Sequence, residues 1–245
     1  MALIKLHLIR LFNWASHPKQ RLTTENPFLL IDKQKGERHR ETRISEEQQA
    51  KLLDVCEQWM RATRKGSREP NESLQRRGRE MYRRLLAAFD TGLRAGEMGL
   101  VQKKHIDFIN WKITLPWMNA KGGKTTGRDE VVWVMTERLR KALEARRFLK
   151  DDDYVFGTED GRRVKKFHKS WRRLFRAAGL PPEIIWHDAR HEFVSSLIEV
   201  GGTIQEVKEA ARHKSISTTS RYMKAHEARL KALLERRAKG GTAIG

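Results

Sequence analysis

The sequence predicts a mainly α fold with one small antiparallel β-sheet, an α+β domain. Three observations predict it. Two capping boxes, Ser45-Glu46-Glu47-Gln48 and Thr203-Ile204-Gln205-Glu206, each announce a helix start. Apolar residues recur at helical spacing, as Trp171, Leu174, Phe175 and Ala178 do. Short runs with strand character are confined to the stretch between His105 and Val134.

Taken in order, residues 3–14 suit a helix through Leu3, Leu6, Ile9 and Leu11. Trp14 and the pair Asn26-Pro27 mark its end and a turn. Residues 32–43 are polar and charged without a period, so they read as a linker. The helix opened by Ser45 has Leu52, Leu53, Cys56 and Met60 on its apolar face. A basic loop, 61–73, contains Pro70. In the next helix Leu74, Met81, Leu85 and Leu86 point inward. Arg76, Arg77, Arg79, Arg83 and Arg84 are expected on its solvated side. Thr91-Gly92 ends it.

Three short strands follow, at His105–Phe108, Trp111–Leu115 and Val131–Val134. Ile113, Leu115 and Trp117 alternate onto one buried face, and Pro116 marks an edge. The glycine- and lysine-rich connection between the last two strands reads as a hairpin. Helices are expected at 136–148, around Leu139 and Leu143, and at 165–178. Asp188 suits a cap for a helix starting near Arg190, with Phe193 and Leu197 on its core face. The Thr203 helix ends near Arg212. Leu230, Leu233 and Leu234 share one face of a last helix, and the glycine-rich tail frays.

Composition narrows the function. Lys plus Arg is 51 and Asp plus Glu is 31, a formal charge of +20. That sign points to a polyanion, most simply nucleic acid. The single cysteine, Cys56, excludes an intrachain disulfide and fits a reducing compartment. No Cys/His cluster has zinc spacing, and no carboxylate cluster suggests a two-metal nuclease, so no metal or other cofactor is expected. Lys5, His7 and Arg10 interrupt the apolar N-terminus, which lacks a signal-peptide core. No stretch is long and apolar enough for a bilayer, so no membrane partner is expected; the expected location is the cytoplasm, bacterial or that of a host.

The chemistry concentrates at His187-x-x-Arg190, His213 and Tyr222, with Arg94 upstream. Arginines clamp phosphate oxygens bidentately. Histidine moves a proton or donates to the phosphate. A phenol is a nucleophile able to hold a covalent phosphodiester. Lys165, Lys166, Lys169, Arg172, Arg173 and Arg176 leave a helix with one apolar stripe and a basic remainder, which suits a DNA groove or its phosphates.

The ordered set Arg94, Lys121, His187, Arg190, His213, Tyr222 resembles the tyrosine recombinases, the phage integrase family, over roughly Ile44–Ala225. The resemblance implies a 44–225 catalytic domain of the tyrosine-recombinase fold. It also implies that residues 1–31 are the last helix and exit of a core-binding domain, and 226–245 a C-terminal helix and tail. Its implied activity is site-specific cutting and rejoining of duplex DNA through a 3′-phosphotyrosine, without metal or ATP. Tetramers on paired sites, with a free monomer or weak dimer, are implied too. Glu97 is then a residue that orients the site from behind. The family places its catalytic lysine in the β-hairpin. Strand register selects Lys121, whereas Lys124 fits a shorter turn. Ala211-Arg212 stands where the family usually has leucine-glycine, and Arg212 is expected to contact a phosphate. Two other readings share the chemistry or the target: a type IB topoisomerase, disfavoured by His187, and a catalytically silent DNA-binding relative.

Overall fold

The backbone of residues 2–29, 43–116, 130–181, 183–213 and 215–223 is described by a computed structural model. The chain divides into two units, Met1–Glu41 and Thr42–Gly245. In the first, helix α1 runs Ala2–Ala15. Asn26 folds the following chain back onto it, donating from Nδ2 to the Ile9 carbonyl at 3.0 Å and to Asn13 Oδ1 at 2.7 Å. Phe28 then meets the Phe12 ring at 5.1 Å. The expected linker, save Arg43, and the C-terminal helix lie outside the described residues.

The second unit opens with α2, Glu46–Met60, and both halves of its capping box form. Gln48 N donates to Ser45 Oγ at 3.2 Å, and Ser45 N donates to Gln48 Oε1 at 3.0 Å. Helix α3, Glu72–Thr91, is capped by Asn71 and packs against α2 through Gly78. A Cβ at Gly78 would stand 2.6 Å from the Cys56 carbonyl oxygen, so that crossing needs glycine.

Two arginines expected on the solvated side of α3 are buried instead. Arg83 and Arg84 are 5% and 2% exposed. Arg84 donates from Nε to the Phe156 carbonyl and from Nη2 to the Gly157 carbonyl, each at 2.8 Å. Its plane lies over the Phe167 ring at 4.9 Å. Arg83 pairs with Glu159. A neighbouring loop thus supplies the polar partners that water would otherwise supply.

Strands β1 (Ile106–Asp107), β2 (Lys112–Pro116) and β3 (Glu130–Val134) form an antiparallel sheet in that order. They are shorter than or offset from the expected runs; His105 closes a 3-10 turn instead. Register sets Ile113 opposite Trp133 and Leu115 opposite Val131. All four are buried, while Val132 and Val134 face out. Trp117 lies outside the described residues.

Helix α5, Glu137–Leu143, tightens into a 3-10 turn, Glu144–Phe148, where one helix was expected. There Arg146 turns inward and donates to the carbonyls of Tyr154, Val155, Thr158 and Glu159. Helix α6, His168–Ala177, starts three residues later than expected, after Phe167 is drawn into an aromatic cluster with Trp171 and Trp186. Trp186 in turn starts α7, Trp186–Glu199, ahead of the expected Arg190. Asp188 therefore caps from inside the first turn, accepting from Ile185 N at 2.8 Å. Helices α8 (Ile204–Ala211) and α9 (Ile216–Met223) complete the described chain. Phe193, Val194, Ile198, Val207 and Ala211 form a small core beneath α7 and α8, apart from the main one around α3.

The Arg84 contacts set a stability test. Arg84→Met keeps the bulk but strands two buried carbonyls, so it is expected to cost about 3 kcal/mol. Arg76→Met, at an exposed position of the same helix, should cost under about 0.5 kcal/mol. Urea unfolding of both variants checks this; equal losses would contradict the buried role.

Candidate active site

Three chain segments meet at the site. The first is the junction of α3 with the short helix α4, Ala95–Met98. Gly92 ends α3 in the left-handed region at φ 60°. A Cβ there would also stand 2.5 Å from the Phe193 ring, so no other residue fits without displacement. This sharp turn puts Arg94 at the N-cap of α4. Glu97, 2% exposed, reaches back to it. Arg94 N donates to Glu97 Oε2 at 3.0 Å, and Arg94 Nη1 meets Glu97 Oε1 at 2.9 Å.

The second segment is the start of α7. His187 and His191, four residues apart, share a face, with rings 4.8 Å apart edge-on. Arg190, 3% exposed, donates from Nη1 to the Gly92 carbonyl at 2.7 Å and from Nη2 to the Ala211 carbonyl.

The third is the turn from α8 to α9. Arg212 ends α8 in the left-handed region at φ 52°. His213 N donates to the Lys208 carbonyl at 2.9 Å. His213 Nδ1 shares a hydrogen bond with Thr219 Oγ1 at 2.9 Å. Thr219 is fully buried on α9, the helix that carries Tyr222. The Tyr222 backbone is helical, and its side chain lies outside the described ones.

Arg212, expected to contact a phosphate, has its side chain 15% exposed. It turns inward, pairing with Glu97 Oε2 at 2.7 Å and lying over the Trp133 ring at 4.0 Å.

Among the described residues, the arginines weigh more on the two imidazoles than Asp188 does. Partial burial, then His191, Arg190 and Arg94, push His187 down to a pKa of about 4. Burial, then Arg190 and Arg94, push His213 to about 4 as well. Both imidazoles are thus neutral at neutral pH. Burial alone would raise the Glu97 carboxyl, but Arg212 and then Arg94 hold it below the usual range. An anion entering among Arg94, Arg190 and the two rings would relieve repulsion and favour the protonated imidazoles.

The structure therefore brings together Arg94, Glu97, His187, Arg190 and His213. Lys121 and Lys124 lie in 117–129, outside the described residues. Lys169, Arg172, Arg173 and Arg176 are exposed on α6, while Trp171, Leu174 and Phe175 are buried. Lys165 and Lys166 are exposed just before that helix rather than within it. Sequence reasoning missed His191, Trp133 and Thr219. His191 carried a usable signal, its i+4 spacing from His187. Among the described residues, no group of three His, Cys, Asp or Glu side chains is placed to hold a metal, and no helix is long and apolar enough to cross a membrane.

A family model described as the phage integrase family matches residues 42–229. A tyrosine recombinase XerC of Rickettsia bellii (strain OSU 85-389) is 29% identical over 145 residues, covering 57% of this chain and 45% of its own. A XerC of Escherichia coli O6:K15:H31 (strain 536 / UPEC) is 26% identical over 203 residues, covering 80% and 60%. The chain spans about half the length of these curated relatives. Among solved structures, the XerA recombinase aligns with a TM-score of 0.57 at 20% identity, over 98% of this chain and 76% of that one. The Tn1549 transposon integrase in complex with transposon right end DNA aligns at 0.67 and 19%, over 96% and 77%. At such identities the likeness concerns the fold.

The histidines make stability depend on pH. In the unfolded chain both should titrate near 6.5, and in the fold near 4. Between those values the unfolded chain binds more protons, so stability rises with pH. Acidification from 6.5 to 4 should lower the melting temperature. The double variant His187→Gln, His213→Gln should flatten that slope; a slope equal to wild type in thermal scans across the window would contradict the neutral assignment.

Proposed function

This chain belongs to the phage integrase family, and from that premise we propose that it is a site-specific DNA recombinase with Tyr222 as nucleophile. One observation carries the reading. Arg94, His187, Arg190 and His213, from three distant segments, converge so closely that the two arginines help hold both imidazoles down to a pKa of about 4.

In this mechanism Tyr222 attacks the scissile phosphate. A 3′-phosphotyrosine forms, and the bond to the 5′-oxygen breaks. A phenol ordinarily titrates near 10, so its proton needs an acceptor. His187 is neutral beforehand, hence able to accept, and the bound phosphate raises its basicity. Arg94 and Arg190 stabilise charge growing on the non-bridging oxygens, the task a metal performs in other nucleases. If Thr219 donates to Nδ1, His213 carries its proton on Nε2 and can donate to the same oxygens. Lys121 protonates the departing 5′-oxygen. The phosphodiester energy is kept in the covalent bond, so rejoining needs no ATP.

Duplex DNA is the substrate. The exposed cations of α6 and its approach, Lys165 to Arg176, supply phosphate contacts. The Tn1549 transposon integrase was solved with DNA, which supports the same partner here. Strand exchange requires paired sites, and four protomers on two duplexes fit that need.

A nicked duplex selected for binding from a random pool tests the chemistry. It should yield a denaturation-resistant adduct in excess chelator, and Tyr222→Phe should abolish the adduct while retaining DNA affinity. An adduct formed by the Phe variant, or one that needs added magnesium, would overturn the mechanism.

The general acid has its own test. Lys121→Ala should slow cleavage strongly and Lys124→Ala modestly. Sulfur in place of the bridging 5′-oxygen should rescue Lys121→Ala, because a thiol of pKa about 8.5 departs without a proton. Arg94→Ala should not be rescued. Rescue of Lys124→Ala instead moves the role to Lys124.

A further inference from the structure

Arg212 has an unusual backbone for its type. It ends α8 at φ 52° and ψ 47°, a left-handed conformation in which an L side chain is strained and glycine is not. Backbone bonds from Arg212 N and His213 N to the Glu209 and Lys208 carbonyls close the turn, and the side chain adds contacts of its own. Its guanidinium stacks on Trp133 of β3 at 4.0 Å and bonds Glu97 Oε2 at 2.7 Å. The side chain is 15% exposed and that of Glu97 is 2% exposed, so the pair is largely shielded from water.

Glu97 is therefore shared. Oε2 accepts from Arg94 N and from Arg212, leaving Oε1 for the Arg94 side chain. A carboxylate facing one arginine tends to engage both its oxygens with that guanidinium in a fork. Here Oε2 is taken by Arg212 and by Arg94 N, and the Arg94 guanidinium meets Oε1 alone. Arg94 keeps one contact at 2.9 Å, and its side chain stays 26% exposed. The same residue ties the turn before His213 to the segment that presents Arg94.

We propose that Arg212 is a positioning residue for the cleavage reaction: by taking one oxygen of Glu97 it holds Arg94 available to the phosphate and fixes the α8–α9 turn. This rests on the recombinase reading above. It also replaces the phosphate-contact role expected from sequence, and the two roles separate experimentally. A phosphate contact acts on affinity and salt dependence. A positioning residue acts on the rate once DNA is bound.

The experiment uses Arg212→Gly and Arg212→Lys in the full chain with the selected nicked duplex. Glycine relieves the left-handed strain, so this variant should keep the wild-type melting temperature within a few degrees. Affinity and its salt slope should be unchanged for both variants. The adduct-forming rate at saturating DNA should fall roughly tenfold or more for Arg212→Gly. Arg212→Lys, which can still meet Glu97 but cannot stack as a plane, should recover part of that loss. A wild-type rate in Arg212→Gly overturns the proposal. So does weakened binding with a salt slope lower by about 0.9 and an unchanged saturated rate, the mark of one lost phosphate contact. So does a loss of melting temperature with no recovery in the lysine variant. If wild-type protein itself forms no adduct, the recombinase reading fails, and this inference falls with it. A fault in the Arg212 role alone leaves the wild-type adduct intact.

Discussion

The site depends on where one buried guanidinium sends its hydrogen bonds. Arg190 ties the Gly92 carbonyl, at the end of α3, to the Ala211 carbonyl, at the end of α8. Arg94 follows the first carbonyl by two residues, and His213 follows the second by two. Helix α7 thus fixes the spacing of residues that lie far apart in the chain. A buried arginine without such partners would carry a large desolvation cost. The demand therefore runs both ways: the charge needs the carbonyls, and the two turns are held by the charge. Gly92 enters the same arrangement, since its left-handed turn lies against Phe193 with no room for a side chain.

Electrostatics then decides what the site can accept. Arg94 and Arg212 pair with the buried Glu97 carboxylate, while burial, with Arg94 and Arg190 outweighing the buried Asp188 at His187, keeps the two imidazoles neutral. Without an anion beside them, protonated rings would add cations to the cations already there. An entering phosphate reverses that balance and strengthens the rings as proton acceptors. Neutral histidines beside arginines are thus compatible with a site that becomes competent on loading.

Much of the fold was legible because its signals are local. Ser45 and Thr203 form the capping boxes their spacing announced. The period-two run through Ile113 and Leu115 marked the sheet's buried face. The failures share a cause, partners distant in sequence. Arg84 looked solvated because its carbonyl partners at Phe156 and Gly157 lie 72 and 73 residues away. Helices α6 and α7 began elsewhere than expected because Phe167, Trp171 and Trp186 pack together. In the site, Arg94, His187, Arg190 and His213 were visible as an ordered motif. The inward turn of Arg212 was not, since Glu97 lies 115 residues away.

The same reasoning revises what the net charge means. A formal +20 invites the picture of a uniformly basic surface meeting DNA. Several of those charges never reach the surface. Arg83, Arg84, Arg146 and Arg190 are each at most 5% exposed. Arg84, Arg146 and Arg190 hold backbone carbonyls, fixing a loop in the first two cases and the site's turns in the third. Arginine suits this work because its planar fork satisfies several carbonyls at once and stays charged when buried. The arginine count therefore serves two purposes, internal support and external charge. Lys165, Lys166, Lys169, Arg172, Arg173 and Arg176 belong to the second, exposed together along one stretch. Composition registers their sum, and only burial separates them.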